Sequence, residues 1–294
     1  MSSNPRVPFE LSTRRKQFAP PEGKPLIVKF DVNIEHWPFD KPLPRRLISP
    51  PHGMQPDPDV ANFSWHEYGQ RCGMPRLFQL FSERNITVDC LINASAIDTY
   101  PAIAEQALEL GWEFVGHGYE QRSLQLADDP RDVIARSLER LRGFSGQPVK
   151  GWLGAGLHET HDTPEMLQDL GVEYLMDWVI DDLPCWFQTA SGRLIAMPYS
   201  LELNDGVVIA TEKHSSPEVY QRVLDTVSVF EQEIDDQPRV LAIPLHPYMS
   251  GVPHRFLYLQ RLVDKLMAHP STVFMTAGQI AEWFVAADAA ASSS

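Results

Sequence analysis

The sequence predicts an α/β fold built as a parallel barrel of about seven β/α repeats. Short apolar runs typical of strands alternate with helical patterns over residues 26–284 of the 294-residue chain, which is long enough for one large domain. No glycine-rich phosphate-binding pattern follows the first strand, which disfavours the competing arrangement, an open doubly wound sheet. In a parallel barrel the loops after the strands carry the chemistry, so functional residues are expected there.

The elements follow from the local pattern. The first strand is the apolar run at residues 26–31, and a proline-rich loop separates it from the first helix, which begins at residue 74 next to Pro75. Asp129 is a good cap for the helix that starts at Pro130. The other strands are expected at residues 87–92, 112–115, 149–153, 173–176, 194–197, 239–243 and 272–275. The helices are expected at residues 74–84, 101–110, 130–142, 163–170, 217–233, 256–268 and 277–284.

The two ends of the chain differ from its middle. Residues 1–25 are polar and contain prolines, so we expect an N-terminal arm that is loose or lightly docked. Residues 26–284 form the barrel. Residues 285–294 are rich in Ala and Ser, and we expect a disordered tail there.

Charge and composition restrict the class of partner. The chain has 25 Lys and Arg against 39 Asp and Glu, and a net charge of −14 repels the phosphates of a nucleic acid. It contains no apolar run of about 18 residues and no signal-peptide pattern at its start. Cys72, Cys90 and Cys185 have no CxxC spacing and are interpreted as reduced thiols. We therefore expect a cytoplasmic protein that binds a small molecule, with neither a nucleic acid nor a membrane as partner.

The first candidate cluster follows the first strand. Asp31, Asn33 and Glu35 share one face by the two-residue period of a strand, so they can point together into the mouth of the barrel. Trp37, two residues further on, is a candidate for the wall of a small pocket. The alternative interpretation is a solvated strand end with a turn that begins at Glu35.

Two further clusters each contain a histidine directly after a strand. His117 lies between two glycines, where the backbone is free to turn. His246 lies between Pro244 and Pro247, and a neutral imidazole there can act as a general acid or base near pH 7. The alternatives are an exposed turn histidine and a structural histidine.

Other residues are weaker candidates. His158 and His161 approach the HExxH zinc pattern, but they are three residues apart, and capping of the next helix by Thr160 or Thr163 explains the segment as well. Further candidates for substrate contacts are Tyr119, Gln121, Trp178, Asp181 and Asp182. For the two aspartates, pairing with nearby cations or capping of a turn is equally open.

The three clusters resemble, in order and spacing, the polysaccharide-deacetylase (NodB-homology) superfamily, whose fold is a distorted (β/α)7 barrel. The segments 65–77, 151–152, 177–184 and 198–205 add to the resemblance, which covers most of residues 26–284. The closer similarity is to the cytoplasmic branch that includes metal-independent bacterial allantoinase and cyclic-imidase-like proteins. Members of this branch form homo-oligomers, so the resemblance implies a dimer or tetramer.

The resemblance also implies roles for single residues. Asp31 matches the catalytic aspartate, and His246 matches the late histidine of the family. His117 matches the first metal-ligating histidine, but Asn33 and Gln121 stand where the family has its aspartate and second histidine ligands. Because neutral amides are poor ligands for a divalent cation, no tightly bound metal is expected. The arginine that deacetylases carry after the fifth strand is missing around residues 154–156.

These roles give a mechanistic hypothesis for the opening of a cyclic amide, ureide or imide. The carboxylate of Asp31 or Glu35 activates water, and His246 protonates the leaving nitrogen. The carbonyl oxygen and its developing charge are held by Asn33, Gln121 and His117.

Two alternatives stay open at this point. The first is a metal-dependent N-deacetylase or N-deformylase with zinc at a degenerate site, whose ligands would be Asp31, His117 and either Glu35 or His158. The second is a homologue that binds a small molecule without turning it over.

Overall fold

The computed structural model describes residues 3–49 and 53–292. The strands are β1 (Leu26–Ile34), β2 (Asp89–Ile92), β3 (Glu113–Gly116), β4 (Gly151–Trp152), β5 (Tyr174–Leu175), β6 (Cys185–Gln188), β7 (Arg193–Ala196), β8 (Arg239–Leu245) and β9 (Thr272–Phe274). They form one sheet in the order β6-β7-β5-β4-β3-β2-β1-β8, with β9 also paired to β1. Neighbouring strands are parallel except β6, which runs antiparallel to β7. The largely parallel sheet, with helices between successive strands, agrees with the predicted barrel.

The helices cover the outside of this sheet. They are α1 (Val60–Tyr68), α2 (Met74–Glu83), α3 (Ala96–Thr99), α4 (Pro101–Glu109), α5 (Pro130–Ser145), α6 (Thr163–Asp169), α7 (Glu218–Phe230), α8 (Pro247–Ser250), α9 (Pro253–Ala268) and α10 (Ala277–Ser292). Two π turns, Gly69–Gly73 and Gly206–Thr211, interrupt the α-helical pattern. Within the described ranges no helix is long and apolar enough to cross a membrane.

Strand β1 pairs with β2, β8 and β9, and its sequence shows why the two faces of the sheet differ. Alternate residues from Leu26 to Ile34 pack outward in the cluster between strands and helices. The residues between them point into the barrel, where Ile27 is apolar but Lys29, Asp31 and Asn33 are polar and buried. The two-residue period of a strand therefore carries polar groups up the inside of the barrel to its carboxyl end.

The amino end of the barrel is closed by both ends of the chain. Phe18 of the arm and Ile280 and Phe284 of α10 belong to the apolar cluster inside the barrel. The tail that we expected to be disordered is helical as far as Ser292. It is held by the Lys16–Asp288 ion pair (2.6 Å) and by a hydrogen bond from Trp186 to Asp288.

Candidate active site

The carboxyl ends of β1 and β8 bring the first and third clusters together. The two strands are parallel, with Val32 opposite Leu245, so His246 follows β8 beside the inward face of β1. Asn33 donates a hydrogen bond from Nδ2 to the carbonyl oxygen of Leu245 (3.2 Å). Strand pairing, rather than closeness in sequence, therefore places Asn33 next to His246.

Glu35 is a buried carboxylate in which both oxygens have partners. Its Oε2 accepts hydrogen bonds from Trp37 Nε1 and Tyr248 Oη, each at 2.7 Å, and its Oε1 is 3.5 Å from His246 Nε2. Burial alone raises the pKa of a carboxyl group. Here the hydrogen bond with His246 and the nearby positive charges outweigh burial and hold the pKa of Glu35 below its ordinary value.

His246 lies between two carboxylates. Its Nδ1 is 2.6 Å from Asp205 Oδ1, and its backbone N–H donates to Asp205 Oδ2 (2.8 Å). Ser250 also donates to Asp205 Oδ2. Burial lowers the pKa of a histidine, but the charge of Asp205 and the bonds to Asp205 and Glu35 raise the pKa of His246 above its ordinary value. The site therefore favours the imidazolium form.

Asp31 is paired with a buried lysine from its own strand. Lys29 Nζ donates to Asp31 Oδ1 and is 3.6 Å from Asp89 Oδ2, and all three side chains are fully buried. Asp31 Oδ2 has no hydrogen-bond partner within the part of the chain that the structure describes. One oxygen of Asp31 is thus fixed by a cation while the other stays available to a ligand.

His117 has one ring nitrogen without a hydrogen-bond partner among the described residues. Its Nδ1 lies 2.8 Å from the carbonyl oxygen of Leu153, which can only accept, so Nδ1 carries the hydrogen. Burial lowers the pKa of His117, and Nε2 is left as an unpartnered acceptor among the described residues. The expectation that His117 donates to an oxyanion is therefore corrected, because the neutral tautomer accepts a hydrogen bond at Nε2.

Asn93, which the sequence analysis missed, connects the second cluster to the first. Its Nδ2 donates to the carbonyl oxygen of His117 and to Gln121 Oε1 (3.2 Å), and its Oδ1 accepts from the backbone of His36 (2.8 Å). The backbone N–H of Gln121 donates to the carbonyl oxygen of His36 (3.1 Å). Gln121 is therefore held beside the loop that follows β1.

Two aromatic candidates lie apart from these residues. The side chain of Tyr119 packs under Arg136, whose guanidinium carbon is 5.0 Å from the ring centre. Trp178 donates from Nε1 to Glu159 and packs edge-on against Phe187. Neither contact joins these rings to the carboxylates around His246.

Asp181 and Asp182 are at the other end of the barrel. Asp181 Oδ1 accepts from Arg15 of the arm (2.7 Å), as the pairing interpretation allowed. The carbonyl oxygen of Asp182 accepts from Val240, near the start of β8, whereas His246 follows the end of that strand. Six strand residues span about 20 Å, so neither aspartate reaches the site around His246.

The segment at His158 and His161 forms a hydrogen-bonded turn before α6. Thr160 N–H donates to Thr163 Oγ1 (2.8 Å), and the two hydroxyl groups are 3.0 Å apart. The helix itself has Asp162 at its N-cap and no capping hydrogen bond from a side chain, so the expectation that Thr160 or Thr163 caps it is corrected.

Known proteins share the sequence and the fold in part. A protein of Schizosaccharomyces pombe named as a polysaccharide deacetylase is 25% identical over 238 residues, 74% of each chain. A peptidoglycan deacetylase of Helicobacter pylori is 19% identical over 268 residues, 80% of this chain and 90% of its own. No family model matches the sequence.

Solved structures show the same architecture. PuuE allantoinase superposes with a TM-score of 0.79 at 22% identity, over 97% of this chain and 95% of that one. A Pseudomonas aeruginosa PAO1 protein described as a polysaccharide deacetylase gives a TM-score of 0.78 at 24% identity, over 89% and 91%. This chain has the polysaccharide-deacetylase fold. The resemblance inferred from the sequence motifs is thereby confirmed.

The metal-ligand positions of the polysaccharide deacetylases are occupied here by groups with other partners. Asn33 Nδ2 faces backbone carbonyl oxygens, and Gln121 Oε1 accepts from Asn93. No group of three or more His, Cys, Asp or Glu side chains in residues 3–49 and 53–292 is placed to hold a metal ion. A donor set of one imidazole and two engaged amides does not fit a tightly held divalent cation, so we assign no step to a metal.

Several important residues were not candidates from the sequence. Lys29 contacts Asp31, and the signal that could have found it is a lysine inside an apolar strand, two residues before Asp31 and therefore on the same face. Asp205 directly precedes the π turn at Gly206–Thr211, and its segment entered only as part of the family resemblance. Tyr248 lies in α8, where no local pattern marks it as a partner of Glu35. Arg45 lies in the proline-rich loop after β1, where no periodicity predicts which residues point into the barrel.

Proposed function

We propose that the protein hydrolyses a carbon–nitrogen bond, other than a peptide bond, in a small molecule. The reaction is the opening of a cyclic amide, ureide or imide without a tightly bound metal. One observation carries the proposal: the buried Asp205–His246–Glu35 arrangement stands beside Asp31, whose Oδ2 is unpartnered. Relatives named as deacetylases, and an allantoinase of the same fold, support a carbon–nitrogen hydrolase.

The closed site supports a small substrate rather than a polymer chain. Asp31, Glu35, His117 and His246 are each at most 3% exposed. Such burial strengthens electrostatic interactions inside the site and excludes bulk water, and it suits a ligand that can be enclosed.

Asp31 is the proposed base. Its Oδ2 and Nε2 of His117 are two buried acceptors without a partner among the described residues. In the proposed reaction they hold the attacking water through its two hydrogens. Glu35 is less suited to this role, because both of its oxygens are engaged by other side chains. Lys29 holds Asp31 in its orientation through a hydrogen bond to Oδ1.

His246 is the proposed acid. Water adds to the carbonyl carbon while Asp31 takes its proton, and the carbon–nitrogen bond then breaks as the nitrogen takes a proton from the imidazolium of His246. Asn33, Gln121 and Trp37 border these groups and complete the proposed substrate contacts.

The proposal is tested by hydrolysis of a panel with chelator-stripped protein: allantoin, hydantoins, cyclic imides and simple N-acetyl or N-formyl amides. Ring opening is expected to persist without metal. Asp31→Asn and His246→Ala are each expected to lower kcat by roughly 10²-fold or more.

The exposed Asp264 and His254 provide matched controls, and Asp264→Asn and His254→Ala should leave the rate near that of the wild type. Activity that disappears on chelation and returns with zinc would establish the metal-dependent deacetylase or deformylase instead. Stabilisation by a ligand without any turnover would identify a binding protein.

A further inference from the structure

An arginine from the loop after β1 reaches the site with an unused hydrogen-bond donor. The Nη1 atom of Arg45 is buried and has no hydrogen-bond partner in residues 3–49 and 53–292. A buried polar group without a partner destabilises the folded state, and a charged group does so more strongly. Proteins seldom carry that cost without a function, so an unpaired guanidinium N–H in a reaction site indicates a place for a ligand acceptor.

Gly206 makes the position of Arg45 possible. A Cβ atom at residue 206 would lie 1.9 Å from Arg45 Nη1 and 2.9 Å from its Cζ, so any larger residue would force the guanidinium out of this position. Gly206 follows Asp205, the partner of His246. Arg45 is therefore seated against the same turn that holds the proposed acid.

The loop that carries Arg45 is anchored just after it. The N–H groups of Leu47 and Ile48 both donate to Asn62 Oδ1, at 2.8 and 3.0 Å, and Asn62 Nδ2 donates back to the carbonyl oxygen of Ile48 (3.1 Å). Asn62 is buried in the first turn of α1. These hydrogen bonds fix the backbone next to Arg45, so the fold itself directs this side chain towards the site.

Acceptors near Arg45 are already used by other donors. The guanidinium lies within electrostatic range of Glu35, Asp205, Tyr199 and Tyr248. Glu35 accepts from Trp37 and Tyr248 and faces His246, and Asp205 accepts from His246 and Ser250. The acceptor for Arg45 Nη1 therefore has to arrive with the ligand.

We propose that Arg45 binds the anionic oxygen that ring opening creates, first the oxyanion and then the product carboxylate. This inference rests on the proposed function. When water adds to the carbonyl carbon, the carbonyl electron pair moves to oxygen. When the carbon–nitrogen bond breaks and His246 protonates the nitrogen, that oxygen and the hydroxyl from water form one carboxyl group, which releases its remaining proton to solvent and becomes the carboxylate. The released nitrogen stays in the same molecule. The ligand class is a ring-opened acid with an amide or ureido nitrogen.

Turnover with added guanidinium tests the role of Arg45 in the reaction. Arg45→Ala is expected to lower kcat by about 10²–10³-fold, the usual loss for one oxyanion donor. Guanidinium chloride, well below unfolding concentrations, should restore part of that loss, which a merely structural role would not allow. Arg46→Ala is the matched control, because Arg46 is exposed and pairs with Asp59 (3.2 Å) away from the site.

Binding tests the inference without turnover. The probe is N-carbamoylglycine, the ring-opened form of hydantoin, compared by calorimetry with its uncharged amide. The wild type and Arg46→Ala should bind the acid at least tenfold more tightly than the amide, and Arg45→Ala should lose that preference while unfolding at a similar temperature.

The outcomes separate this inference from the proposed function. Preference for the acid that depends on Arg45, with no turnover of any ring, would retain the anion site and reject the hydrolase. Ring opening that is unchanged in Arg45→Ala would reject the anion site and retain the hydrolase. A wild type that does not distinguish the acid from the amide would also overturn the inference.

Discussion

His246 illustrates how single contacts set chemistry in this site. An isolated buried histidine loses its charge, but the carboxylate of Asp205 at 2.6 Å and that of Glu35 at 3.5 Å favour the protonated ring. A general acid must be protonated at the working pH, so the two carboxylates suit His246 to donate rather than to accept a proton.

The first prediction concerns the partner of this histidine. Asp205→Asn removes the charge that raises the pKa of His246, so the pKa of His246 falls and less of the imidazolium survives at neutral pH. The high-pH limb of the kcat/KM profile is therefore expected to move to lower pH, with a lower maximal rate. Ser250→Ala keeps the charge of Asp205 and should leave the limb in place. A limb that does not move in Asp205→Asn would show that it belongs to another group.

Some site residues could be predicted from the sequence, and others depend on contacts that no local pattern shows. Asp31, Asn33 and Glu35 followed from strand periodicity, and the pairing of β1 with β8 could be expected to bring His246 close. Arg45 could not be found, because its position depends on long-range contacts of a loop without regular structure. Periodicity also makes no distinction between a lysine that pairs inside the barrel and one in solvent, which is why Lys29 was missed.

At the scale of elements, the short helix after His246 depends on close packing against a π turn. Gly73 in that turn lies against the backbone of Pro247, the first residue of α8, and Gly251 lies against Gly73 in return. Tyr248, the donor to Glu35, is the second residue of α8. The close backbone packing of these two glycines therefore fixes the position of α8, and with it the position of Tyr248.

The second prediction tests this packing. A Cβ atom at residue 73 would lie 2.2 Å from the carbonyl oxygen of Pro247, so Gly73→Ala must displace α8. We expect a loss of about 1–3 kcal/mol in the free energy of unfolding, together with a lower kcat. Urea unfolding and the hydrolysis assay measure the two effects.

Gly143 in α5 is the control, because nothing lies within 4 Å of a Cβ atom there. Gly143→Ala should raise stability by about 0.5–1 kcal/mol through helix propensity, without a change in rate. If Gly73→Ala and Gly143→Ala changed the free energy of unfolding and kcat in the same way, the close packing of α8 would be contradicted.

The regular elements were the predictable part of the fold. All eight strands and seven helices expected from the sequence are present, most with ends within about three residues of the prediction. Helix α1 was missed because the π turn that follows it breaks the helical period before Met74. Strand β6 was missed because it is an antiparallel addition at the edge, outside the β/α alternation.

At the scale of the whole molecule, stability depends on acidic groups that the fold removes from water. Asp177 accepts from the backbone of Gly154 through both oxygens, at 2.9 and 3.0 Å, and desolvation, with the charge of Glu159 adding to it, raises the pKa of Asp177 to about 8. The folded protein thus binds this proton more tightly than the unfolded chain. Its contribution to stability is complete below pH 3.8 and is lost as the pH rises through about 8.

The third prediction follows from that sign. Asp177→Asn is neutral at every pH and keeps one oxygen for Gly154, so the fall in unfolding free energy between pH 5 and pH 8 should be smaller than in the wild type. Urea unfolding at the two pH values measures the difference. Asp169→Asn changes a half-exposed carboxylate paired with Arg131, and it should retain the wild-type slope. The same slope in Asp177→Asn would mean that another group titrates.

The position of α10 also determines how the protein can be attached to a support. This helix lies at the amino end of the barrel, where Trp283 donates to the carbonyl oxygen of Ala19 and Asp288 pairs with Lys16. Strand β1, with nine residues, separates that end from the carboxyl end by about 30 Å. A tether after α10 would therefore hold the molecule to a solid support with its reaction site facing the solution.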